Sequence, residues 1–189
     1  MFCHGREAYR RNSYLIAYMF YKNILYVIPI WCFGYVSNFS ATAIYNIWLY
    51  QLYNMVFSAI PIMWFAIFDQ EHDKETFLTR PSLYRIGLED MLFNKWVFWR
   101  WFFYAVWQGV LLMAISFDTM DTAAESEGKI GGLTLDGNFI FGALVIIVNV
   151  KVLISSYQYT FWSVGWVILS IATFFGVFTF FSFVKVTSV

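Results

Sequence analysis

An all-α polytopic membrane protein is the fold class this sequence predicts, and three observations predict it. Of its 189 residues, 60% are hydrophobic and 13% charged, with a mean hydropathy of +0.60, far from the composition of soluble domains. Five apolar stretches reach the roughly 20 residues that a hydrocarbon core demands. None alternates with period two, so helices are the way this chain can satisfy its backbone polar groups in lipid. Twelve basic and twelve acidic side chains cancel, and no net field points to nucleic acid.

The spans are expected at about Ser13 to Tyr35, Tyr45 to Phe68, Trp96 to Phe117, Ile140 to Tyr157 and Phe161 to Val184. The first lacks a small-residue cleavage site and reads as a spanning helix, not a removed leader. Arg6, Arg10 and Arg11 precede it, and Lys74, Arg80, Arg85 and Lys95 fill the link between the second and third spans. Both segments should therefore be cytosolic. The link between the third and fourth spans, DTMDTAAESEGKIGGLTLDGN, sets acidic residues against the single Lys129 and suits the outer face. The short link after the first span faces outward as well, and with it Asn38, in an N-glycosylation tripeptide close to the membrane. The aromatic run WVFWRWFFYAVW reads as an interfacial belt with Arg100 at lipid phosphate.

The polar residues inside the spans carry the functional signal. Lys22 lies ~12 Å into the first span at helical rise, where a lysine costs on the order of 2.5 to 3.5 kcal/mol. Its stem either snorkels to the cytosolic interface or the ammonium serves the membrane interior with Asn23 beside it. Pro29 leaves the carbonyl of Leu25 without its helical donor. In the second span Gln51, Asn54 and Ser58 are spaced three and four apart, one stripe of a regular helix, and Pro61 frees the carbonyl of Phe57. Such a stripe either joins helix to helix or lines a hydrated or head-group path opposite Lys22. Gln108 reads as a packing contact, Asn149 and Lys151 as interfacial anchors, and DQEHD after the second span as a solvated charge run.

Covalent chemistry has no support in these residues. No P-loop, no nucleophile beside a base and no carboxylate within a span occurs, so no catalytic residue is assigned. Neither His4 nor His72 has a ligand partner at metal-binding spacing. Cys3 and Cys32 stand about 40 Å apart if the chain between them is helical, too far for a disulfide.

The motifs HGREAYRR, YMFYKNI, LYQLYNMVFSAIPI, FDQE with RPSLYRIG, and LFNKWVFWRW follow one another from His4 to Trp101. In that order they resemble the C-terminal membrane half of P4-type ATPases, the phospholipid flippases; FGALVIIVNVKV continues the likeness more loosely. The resemblance implies a bundle of five helices corresponding to the family's fifth to ninth. It also implies movement of phospholipid from the exoplasmic to the cytosolic leaflet, driven by ATP with Mg2+ through an aspartyl phosphate. An accessory membrane glycoprotein subunit, and residence in the plasma membrane or a Golgi or endosomal membrane, are implied with it. Lys22 and Asn23 match the family's lipid head-group route, and Asn54 a position associated with it; Gln51 and Ser58 join them from the stripe alone. No DKTG motif occurs in residues 1–189, so the chain reads as a fragment that cannot hydrolyse ATP by itself. The competing expectation is a stand-alone helical membrane protein, a passive channel or an assembly subunit, without ATPase activity.

Overall fold

The computed structural model describes residues 2–40, 42–72, 74–80, 83, 85–122 and 133–187. Its helices are α1 (Phe2–Val36), α2 (Ile47–Leu52), α3 (Ala59–Phe68), α4 (Lys74–Thr79), α5 (Arg85–Leu88), α6 (Lys95–Thr122), α7 (Leu133–Ser155) and α8 (Phe161–Thr187), with a π-helical turn, Tyr53–Phe57, joining α2 to α3. Five segments among the described residues are long and apolar enough to cross a membrane: Gly5–Val36, Ile47–Phe68, Lys95–Thr119, Asp136–Ser155 and Phe161–Phe181. Residues 123–132, the middle of the acidic link that sequence assigns to the outer face, lie outside the described residues.

Local chemistry sets several helix ends. Asn46 caps α2, its Oδ1 accepting from the Trp48 N–H at 3.0 Å, and Asn94 caps α6 through the Val97 N–H at 2.8 Å; both satisfy donors that a helix start leaves open. At the end of α1, Asn38 adopts φ 49°, a left-handed conformation that asparagine tolerates. The next N–H, of Phe39, returns to the carbonyl of Gly34 at 2.8 Å.

α1 begins well before the expected Ser13 because its first turns are held by charge rather than by lipid. Arg10 donates to Asp69 at 2.7 Å and to Glu7 at 3.0 Å, and its guanidinium lies 4.9 Å from the Tyr157 ring centre. Arg6 pairs with Glu71 at 2.8 Å. Arg11 donates to the carbonyls of Ala66 and Ile67 at 3.2 and 2.6 Å, the favourable place for a cation at the end of α3. The expectation of a solvated DQEHD run is corrected here. Asp69 is buried, and its second oxygen accepts the N–H groups of Tyr157 and Gln158 at 2.9 and 3.2 Å. One carboxylate thus joins the start of α1, the end of α3 and the α7–α8 turn.

Within the membrane zone α1 packs most extensively on α6. Lipid tails are as apolar as leucine, so helices associate through close packing and not through expulsion of water. Gly109 of α6 permits that approach: a Cβ there would stand 2.7 Å from the Ile28 Cβ. The aromatic centre is Phe141 of α7, whose ring meets those of Tyr26, Tyr45, Tyr53, Phe57 and Phe174 at centroid distances of 5.2 to 6.4 Å, contacts worth about 0.5–1.5 kcal/mol each.

Two stability outcomes are expected of the purified protein in detergent. Gly109→Ala should destabilise by about 1–3 kcal/mol through overpacking against a branched, backbone-proximal carbon; Gly165→Ala, where the added carbon meets nothing within 4 Å, should not lower the thermal midpoint. Asp69→Ala should cost about 3 kcal/mol or more, because Arg10 loses its closest carboxylate in a buried place. A midpoint within a degree of the parent would exclude a structural role for either site.

Candidate functional site

The second span is not one helix, and the reason is in its sequence. Pro61 has no N–H, so the carbonyl of Phe57 lacks the donor that a regular helix supplies. The backbone widens into the π-helical turn Tyr53–Phe57 and leaves helical geometry at Ser58, with φ −128° and ψ −14°. Such turns collect at functional positions because they leave backbone groups open and redirect side chains.

Lys22 reaches into this break. The residue is 2% exposed, and its ammonium donates to Ser58 Oγ at 2.9 Å, with the Tyr53 ring centre 5.9 Å away. Ser58 Oγ in turn donates to the Tyr53 carbonyl at 2.8 Å, and the Tyr53 hydroxyl donates to the carbonyl of Lys22 at 3.0 Å. The lysine therefore does not snorkel. An ammonium has three donors, and here one meets a neutral hydroxyl; among the described residues no carboxylate pairs with it.

The open carbonyl of Phe57 is filled from the far side. Asn149 of α7 donates Nδ2 to it at 2.9 Å, and Ser170 of α8 donates Oγ at 2.6 Å. Both side chains are buried, which corrects the reading of Asn149 as an interfacial anchor. Lys151 stands over aromatic faces, with ring centres of Tyr104 and Trp101 at 4.4 and 5.0 Å. Gln108 accepts from the Tyr21 hydroxyl, a packing contact between α6 and α1.

Of the five residues singled out from sequence, the structure joins Lys22 to Ser58 and leaves Asn23, Gln51 and Asn54 exposed. The single stripe does not persist, because a π-helical turn advances fewer degrees per residue and swings Ser58 inward, away from Gln51 and Asn54. Sequence reasoning missed Tyr53, Asn149 and Ser170. The carbonyl freed by Pro61 announced that a donor was needed, but nothing in spacing said which helices would supply it.

Chemically the arrangement offers a buried positive charge and hydrogen bonds. No group of His, Cys, Asp and Glu among the described residues could hold a metal ion. A buried ammonium of this kind can hold an anion.

Comparison with known proteins gives the fold a family. The family model described as phospholipid-translocating P-type ATPase C-terminal matches residues 1–188. The chain is 30% identical over 179 residues to phospholipid-transporting ATPase IC of Mus musculus, covering 92% of this chain and 14% of that protein. It is 29% identical over 175 residues to probable phospholipid-transporting ATPase IM of Homo sapiens, 92% of this chain and 15% of the relative. It is also 29% identical over 158 residues to probable phospholipid-transporting ATPase 12 of Arabidopsis thaliana, 83% of this chain and 13% of the relative. The chain thus spans about one seventh of the length of these relatives. With a match over nearly its whole length and five apolar helices to fit, the chain belongs to the phospholipid-translocating P-type ATPase C-terminal family.

Proposed function

We propose that this chain is the transport-domain part of an ATP-driven flippase that moves phospholipid from the exoplasmic to the cytosolic leaflet, with Lys22, Ser58, Asn23, Asn54 and Gln51 along the head-group path. The observation that carries this reading is the Lys22 ammonium, buried in mid-span with a hydroxyl and an aromatic face for company. A buried charge is retained at a cost of several kcal/mol unless something repays it, and a lipid phosphate passing the site supplies the missing negative charge.

The exposed amides support the same path. Tyr26 lies three residues beyond Asn23, on the same face of α1, and stacks on Tyr50 at 5.4 Å; Tyr50 stands about one turn from Asn54. Asn23 and Asn54 are both exposed, and each lies within about one turn of this aromatic contact, where amides facing lipid tails would go unsatisfied. ATP and Mg2+ would act on segments beyond the seventh of the relatives' length matched here, and the phospholipid and the bilayer are the direct partners of this part. The charge distribution supports cytosolic placement of the α1 start, and the family likeness supports an accessory membrane glycoprotein and residence in the plasma membrane or a Golgi or endosomal membrane. A passive channel or stand-alone assembly subunit is not favoured, since the family match runs over residues 1–188.

In the full-length pump, reconstituted in vesicles where phosphatidylserine, phosphatidylethanolamine or phosphatidylcholine is varied in turn, Lys22→Ala should raise the half-stimulating lipid fraction about tenfold or more, the scale of a hydrogen bond to a charged group. Asn54→Leu should shift it less. Wild-type lipid dependence in Lys22→Ala, or a parent pump that no phospholipid stimulates, would sink the reading.

A further inference from the structure

The contacts of Lys22 depend on something deeper in the bundle. Ser58, its hydrogen-bond partner, directly follows Phe57, whose carbonyl is gripped by Asn149 and Ser170 from two other helices. Phe57 and Ser58 are 0% exposed. A carbonyl released by proline needs one donor to be satisfied; this one receives two, at 2.9 and 2.6 Å. Asn149 spends its other N–H on the Val145 carbonyl at 2.9 Å, while its Oδ1 is buried without a hydrogen-bond partner among the described residues.

We propose that Asn149 and Ser170 are positioning residues of the lipid path: by holding the Phe57 carbonyl they fix the π-helical turn, and with it the Ser58 hydroxyl that receives the Lys22 ammonium. This rests on the reading of Lys22 as a head-group contact. Were the carbonyl let go, the turn could close toward α-helical geometry, and each residue removed from the wide turn rotates the side chains before it relative to those after it. Ser58 and Asn54 would then no longer keep their present relation to Lys22.

The test uses the full-length pump in the vesicles described above, with thermal stability measured on the same preparations. Ser170→Ala and the near-isosteric Asn149→Leu should each raise the half-stimulating lipid fraction about threefold or more, the scale of one interhelical hydrogen bond in a membrane. Ser170→Thr, which keeps a hydroxyl, should recover most of the loss. Pro61→Ala separates the two possible roles, since it restores an N–H that can fill the Phe57 carbonyl from within the helix. Added to Asn149→Leu, it should recover stability and leave lipid dependence impaired. Recovery of both would mean that the clamp only satisfies a carbonyl, and the proposal would fall. Normal lipid dependence in Ser170→Ala and in a folded Asn149→Leu, with Lys22→Ala impaired, would overturn the clamp and spare the lipid path. Normal behaviour of all three would overturn both.

Discussion

In hydrocarbon a carbonyl without a donor costs several kcal/mol, and Pro61 creates one at Phe57 in the middle of the second span. The bundle is organised around that debt. α7 and α8 each send one polar side chain to it, which brings the last two spans against the break in the second. The break turns Ser58 toward α1, and Lys22 closes the arrangement from the opposite side. The aromatic centre sits on the same spot: Phe141 and Phe174 pack against the Phe57 ring at 6.4 and 5.4 Å. A regular second helix would need none of these polar contacts and would offer the lysine no hydroxyl.

A second convergence lies at the start of α1. Asp69 accepts from Arg10 and from two N–H groups of the α7–α8 turn, so the end of the second span is fixed to two other parts of the chain by one carboxylate. The two convergences are linked by α3, a helix of ten residues between Ser58 and Asp69. With both of its ends held, α3 is a short rod, and a displacement at the start of α1 would reach the π-helical turn through it with little slack. Packed interiors transmit such shifts because they lack the free volume to absorb them.

Much of this was legible in the sequence. Apolar length gave five spans, Pro61 pointed to the open carbonyl of Phe57, and the depth of Lys22 marked it as a cation in need of a partner inside the membrane. The rest was hidden for definite reasons. A spacing of three and four puts Gln51, Asn54 and Ser58 on one stripe only if the helix is regular, and Pro61, three residues past Ser58 on the same face, breaks that regularity. Asn149 looked interfacial because its position along α7 says nothing about which helix faces it. The run DQEHD looked solvated because its partners Arg6 and Arg10 are about sixty residues away in the chain. Long-range pairing is what periodicity cannot supply.

On the proposed reading, the charge at Lys22 limits what the path can admit. Two like charges 4 Å apart repel by about 4 kcal/mol at an effective dielectric of 20, so a fixed ammonium disfavours a metal cation there by orders of magnitude. A phosphodiester gains a comparable amount. Every phospholipid carries that phosphate, however, and Lys22 by itself cannot tell one head group from another. Discrimination would fall to neutral groups that both donate and accept, which is the chemistry of the amides of Asn23, Gln51 and Asn54. The charge is buried against Ser58, while the three amides are exposed, so on the proposed reading the two duties would fall to different places. A lipid moving along the proposed path would meet the lysine through its phosphate and the amides through the rest of its head group.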